Sequence, residues 1–237
     1  MPRLVFLPGL ACDARLWEAQ LPIVPPALDP LVSDAHMRHA SIETMAAAVL
    51  AETAGPLVLC GASMGGMVAM EAARQAPERI AGLALLGTNA APETPETYEL
   101  RASAIELFEQ GDVRDVIEPN IVFAFHPAQA ADRALTRRYL DIILDAGAAQ
   151  LIRQNRAVMQ RPDARAHLGR LQCPVLVMCG DSDRLTPPAA SREIAALLPH
   201  AELHWVPACG HMLTLEKPGT VNAFLGDWLR RLLPSIA

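Results

Sequence analysis

Aromatic residues make up only 4% of the 237-residue chain, so aliphatic packing must dominate the core. Basic charge is also short. Twenty Lys and Arg face 26 Asp and Glu, for a formal charge of −6, and no basic cluster is visible. Phosphate backbones are held by clustered Lys and Arg, so nucleic acid is excluded as a partner. No apolar run approaches the roughly 20 residues a membrane helix needs. The opening "MPRLVFLPGL" has a single Arg and a brief apolar run broken by Pro8 and Gly9, too short for a signal peptide. The five cysteines are an odd number and lack metal-ligand spacing. Cys60 and Cys179 sit inside apolar runs and read as small core residues. The reading is therefore a cytoplasmic protein without metal or cofactor. There is no internal repeat and no low-complexity segment.

What the chain does have is hydrophobic content, 51%, against 19% charged residues, enough for a large core. Short β-rich runs recur at 3–9, 29–35, 56–63, 80–88, 174–181 and 201–207. Most are continuously apolar rather than alternating, the pattern of strands buried on both faces. Helical stretches lie between them: Ser41 to Glu52, with Ser41 as cap, then Met64–Gln75, Ala189–Leu198 and Val221–Leu232. This alternation predicts an α/β fold with helices on both faces of a mostly parallel sheet. From about Pro92 to Arg170 the rhythm stops. Helix-forming segments at Tyr98–Gln110, Asp132–Ala146 and Ala148–Met159 are punctuated by Gly111, Pro119, Pro127 and Gly147. A helical insertion spanning 92–170, between core segments 1–91 and 171–237, is the simplest organisation.

The chemistry starts from "PLVLCGASMGG", residues 56–66. Gly61-Ala62-Ser63-Met64-Gly65 fits G-x-S-x-G, with a buried strand before it and a helix after it. In that setting a sharp turn presents the serine hydroxyl at the carboxyl end of the sheet, and the positions two before and two after must be small. A serine needs a base to take its proton. Of seven histidines, His211 follows the last strand in "VPACGHMLTLEKP", at the edge of an α/β sheet where reacting groups gather. The base needs a carboxylate to fix its tautomer. Asp181 and Asp183 both follow the fifth strand in "DSDRLTPP"; Asp183 is farther into the loop and better placed to reach His211, whereas Asp181 suits hydrogen bonds to turn amides. An oxyanion needs two backbone N–H donors. Met64, after the serine, is one; Leu10, in the loop "LPGLACD" after the first strand, is the other.

The order Ser63, Asp183, His211 resembles the α/β-hydrolase superfamily. "FLPGL" resembles its oxyanion loop, "GASMGG" its nucleophile elbow, "GDSDRLTP" its acid loop and "GHMLTLEKP" its histidine loop. The match runs end to end and is closest to small bacterial carboxylesterases, enol-lactonases and cofactor-free haloperoxidases. Two departures stand out. Pro8-Gly9 replaces the His-Gly of many relatives, and the two leading strands of larger relatives look absent, leaving about six parallel strands. The resemblance implies that the insertion is a helical cap. A serine nucleophile disfavours the dehalogenase and epoxide hydrolase chemistries, which use aspartate at that position.

The expectation is a serine hydrolase that cleaves small-molecule carboxylic esters through an acyl-enzyme. Phe123 and Phe125, in "IVFAFHP", are candidates to line the pocket, or else bind the cap to the core. A lactonase or C–C bond hydrolase would keep the same three residues and use basic cap groups, with Arg153 and Arg156 as candidates. A non-hydrolytic small-molecule binding protein is a third possibility, favoured only if a member of the triad were missing.

Overall fold

A computed structural model describes residues 2–111, 113–198 and 200–236. Along the chain, β1 (Arg3–Leu7) is followed by β2 (Leu31–Val32), α1 (Ala35–Arg38), α2 (Ile42–Glu52), β3 (Leu57–Ala62), α3 (Met64–Gln75) and β4 (Ile80–Leu86). Then come α4 (Pro95–Glu109), α5 (Val113–Asn120), α6 (Pro127–Ala130), α7 (Arg133–Met159) and α8 (Arg165–Leu168). The chain closes with β5 (Val175–Gly180), α9 (Pro188–Leu197), β6 (Ala201–Val206), α10 (Leu213–Glu216) and α11 (Pro218–Ile236).

The strands form one sheet in the order β2-β1-β3-β4-β5-β6, and every pairing is parallel. Alternate residues of each strand enter different clusters. Leu4 and Phe6 of β1 join Val58 and Cys60 of β3 on one face, packed under α11 through Leu225 and Trp228. Val5 and Leu7 join Leu57 and Leu59 on the other, against Met45 of α2 and Val68 of α3. Two buried faces explain why these runs are apolar without alternation. The order reverses between β1 and β3, which opens a crevice at the carboxyl edge beside their ends.

Local signals act as read from the sequence. Ser41 accepts from the Thr44 backbone N–H at 3.2 Å and caps α2 in a reciprocal capping box. Between β4 and β5 the described residues are helices and loops only. Helix α7 is broken at Gly147, whose φ of 76° interrupts the helical path, so the two helical segments expected there meet at an angle.

Candidate active site

Register brings the first pieces together. Leu7 pairs with Gly61, so the loop after β1 runs beside the turn after β3. Ser63 is held at φ 51°, a conformation non-glycine residues seldom adopt, as the chain turns from β3 into α3. Its N–H donates to Leu86 O at 2.9 Å, and its carbonyl accepts from Thr88 Oγ1 at 2.7 Å. The neighbouring glycines are dictated by space. A Cβ on Gly65 would lie 1.9 Å from the Leu7 carbonyl oxygen, and one on Gly61 2.3 Å from the Gly65 carbonyl oxygen.

The three residues chosen from sequence meet in one hydrogen-bonded chain. Ser63 Oγ lies 2.9 Å from His211 Nε2. His211 Nδ1 lies 2.9 Å from Asp183 Oδ2. Asp183 is buried, 3% exposed, and its other oxygen accepts from the backbone N–H groups of Leu185 and Thr186, each at 2.9 Å. Thr186 Oγ1 adds a bond to Asp183 Oδ2 at 2.8 Å. Burial opposes ionisation of Asp183, but the His211 charge and the bonds from His211 and Thr186 outweigh it and hold the carboxyl below its ordinary value. Such a chain can pass a hydroxyl proton to the imidazole while the carboxylate fixes the ring's orientation.

Asp181 does something else. It accepts from Ala208 N at 3.0 Å and Ser182 Oγ at 2.8 Å, tying the acid loop to the histidine loop. It bonds amides, as expected, though those of the neighbouring loop rather than its own turn.

Leu10 and Met64 both line the cavity beside Ser63, and Gly9 abuts the serine: a Cβ on it would sit 3.4 Å from Ser63 Cβ. The loop after β1 is gripped from the insertion. Gln154 of α7, fully buried, accepts from Ala11 N at 2.6 Å and donates to His36 O at 2.9 Å. The histidine loop is gripped as well. His211 N and Met212 N donate to Ala124 O at 2.9 and 3.2 Å. The buried Glu216 carboxylate collects the N–H groups of Gly210 (3.0 Å), Met212 (3.1 Å) and His126 (2.8 Å).

Above Ser63 opens a cavity of about 620 Å³ between the sheet edge and the insertion. Phe123 is part of its wall. Phe125 is not: it is fully buried, packs edge-on against Tyr139 within the insertion and shares a buried cluster with Val206 and Cys209, so it does not line the slot. Arg153 and Arg156 also lie off the wall. Arg153 donates to Met37 O and Gln150 Oε1, and Arg156 pairs with Glu109 on the surface. Cys12 does line the cavity, but burial, helped by Asp13, pushes its thiol up to about 12, so it stays protonated and unreactive. Among the described residues no group of three His, Cys, Asp or Glu is gathered to hold a metal, and no helix is long and apolar enough to cross a membrane.

Known proteins bear on the same elements. Residues 33–218 match the sequence pattern described as the alpha/beta hydrolase fold. The chain belongs to that family. A protein of Aromatoleum aromaticum named as a pimeloyl-[acyl-carrier protein] methyl ester esterase is 31% identical over 97% of this chain and 98% of its own length. A thermophilic esterase from Thermogutta terrifontis, solved with malate bound, superposes with a TM-score of 0.86 at 26% identity, over 98% of this chain and 90% of that one. The enol-lactonase of Burkholderia xenovorans superposes with a TM-score of 0.83 over 97% of this chain and 91% of that one. At 21% identity that likeness speaks for the fold alone. The α/β hydrolase resemblance and the parallel six-stranded sheet expected from sequence are both borne out.

Proposed function

We propose that this protein is a serine hydrolase of small-molecule carboxylic esters, working through an acyl-enzyme. The observation that carries the reading is the unbroken path Ser63–His211–Asp183, 2.9 Å at each step, opening into an apolar cavity. In this reading His211 takes the Ser63 proton as Oγ attacks the ester carbonyl. The backbone N–H groups of Leu10 and Met64 hold the oxyanion, each contributing about 3 kcal/mol. Asp183 stabilises the imidazolium, which then gives its proton to the departing alcohol. Water repeats the sequence on the acyl-enzyme.

Core segments 1–91 and 171–237 carry this machinery, and 92–170 acts as the cap that shapes the pocket. The name of the Aromatoleum relative supports the ester class. Five unpaired cysteines suit a reducing compartment, and the cytoplasm is the proposed location. Ser63→Ala tests the reading on short p-nitrophenyl esters. Turnover should fall at least about a thousandfold; undiminished turnover would overturn it.

A further inference from the structure

The cavity above Ser63 has an electrical character that the chain as a whole does not. The protein carries −6, yet among the described residues no Asp or Glu lines the cavity, whereas Arg101 and Arg184 do. Arg184 lies over the Phe123 ring at 4.6 Å and is exposed. Arg101, on α4, belongs to a built cluster. Its Nε donates to Glu93 at 3.2 Å, and its Nη1 donates to Asn155 Oδ1 at 2.8 Å.

The ion pair with Glu93 does not account for Arg101. The Glu93 side chain, 6% exposed, is shared with Arg161, which is 5% exposed and also donates to the Ala91 and Val158 carbonyls. Two guanidinium groups therefore stand on one carboxylate, and the cluster keeps a positive charge. Arg161 is consumed by its buried partners. Arg101 remains 31% exposed on the cavity wall, and none of its hydrogen bonds to the described residues runs through Nη2. Burial and the neighbouring Arg161 pull the Arg101 pKa down from its ordinary value while Glu93 raises it, a sign that water compensates this cation poorly. Asn155, 6% exposed, anchors itself on Leu151 O at 2.8 Å and so fixes the direction of the guanidinium. An oriented, under-compensated guanidinium on a largely apolar wall matches a carboxylate, which can accept charge-assisted hydrogen bonds from the open side of the group.

We propose that the cavity selects esters bearing a carboxylate away from the scissile bond, and that Arg101 binds that carboxylate while Asn155 positions Arg101. This deepens the ester-hydrolase reading and rests on it for the class of substrate.

The test uses Ser63→Ala protein, which holds esters uncleaved, titrated by calorimetry. The probes are monomethyl esters of straight-chain dicarboxylic acids, ω-acetoxy carboxylic acids, and neutral counterparts of matched length. At the best length the charged ester of one set should bind about 10- to 100-fold more tightly than its neutral counterpart. Which set responds tells whether the acyl or the alcohol part carries the charge. Adding Arg101→Gln should abolish that preference, and Arg101→Lys should keep part of it. Equal binding of charged and neutral esters in both sets would overturn the inference. So would a preference that survives Arg101→Gln, or a Gln variant that weakens charged and neutral esters alike. Wild-type turnover of the same probes is read separately. A charged ester that binds through Arg101 but is never cleaved would refute the hydrolase reading and leave the carboxylate subsite standing.

Discussion

Replacing Glu216 by glutamine exchanges one carboxylate oxygen for an NH2 group at a buried site already crowded with donors. In the native protein Oε1 accepts from Gly210 N and Met212 N, and Oε2 accepts from Gly210 N and His126 N. Gly210 can turn to whichever oxygen remains, so exactly which amide suffers depends on the orientation of the new side chain. With NH2 at the first position the Met212 N–H faces another donor; with NH2 at the second, the His126 N–H does. Either way one charge-assisted bond is lost: Met212 N–H would fall back on its longer bond to Ala124 O, whereas His126 N–H would be left unpaired, a cost of about 1–3 kcal/mol. The amides involved flank His211 on one side and anchor the insertion on the other, so the imidazole should also lose its alignment with Ser63. A displacement of that kind lowers turnover by about 10- to 100-fold. Urea denaturation of wild type and E216Q gives the first number, and p-nitrophenyl ester kinetics the second. A variant within about 0.5 kcal/mol of wild type, with unchanged turnover, would refute the view that this carboxylate holds the histidine loop.

Asp183→Asn should lower turnover by about a thousand- to ten-thousand-fold, read as kcat on the same esters. Its pH dependence has a defined sign. The Asp183 carboxyl is held below its ordinary value, so its contribution to stability is full above about pH 4 and fades as the pH falls through the lower folded-state value. The stability gap between wild type and D183N, followed by thermal melts, should therefore narrow in acid; a gap that widens would contradict the pairing. Gln154→Leu leaves the Ala11 N–H and the His36 carbonyl without this partner, for a loss of about 1–3 kcal/mol. It should also reduce kcat, because the loop carrying Leu10 is released, and kinetics at saturating ester checks this.

Much of this architecture was legible because burial on both faces writes strands as unbroken apolar runs, and because Gly61 and Gly65 answer a steric demand that no other residue meets. Gly147 was legible for a similar reason, since it breaks a helical pattern where the backbone takes a positive φ. The residues that escaped notice depend on packing between distant segments. Glu216 looks like a surface acid in "LTLEKP", yet it is buried, holding the nearby Gly210 and Met212 amides and the sequence-distant His126 amide. Arg153 and Arg156 appear as suitable in the chain as Arg101, and only the packing of α4 against α7 decides which guanidinium meets the cavity. Phe125 and Phe123 stand two residues apart in an irregular segment, where no periodicity tells the wall from the core.

The single carbonyl of Ala124 receives the amides of both His211 and Met212. A segment whose Ile121, Phe123 and Ala124 line the cavity thus also seats the imidazole. Anyone replacing 92–170 with a foreign segment to reshape the cavity would have to carry 121–127 and 209–216 across as a matched pair; transplanting the first alone would retune the cavity and detune the imidazole in one stroke.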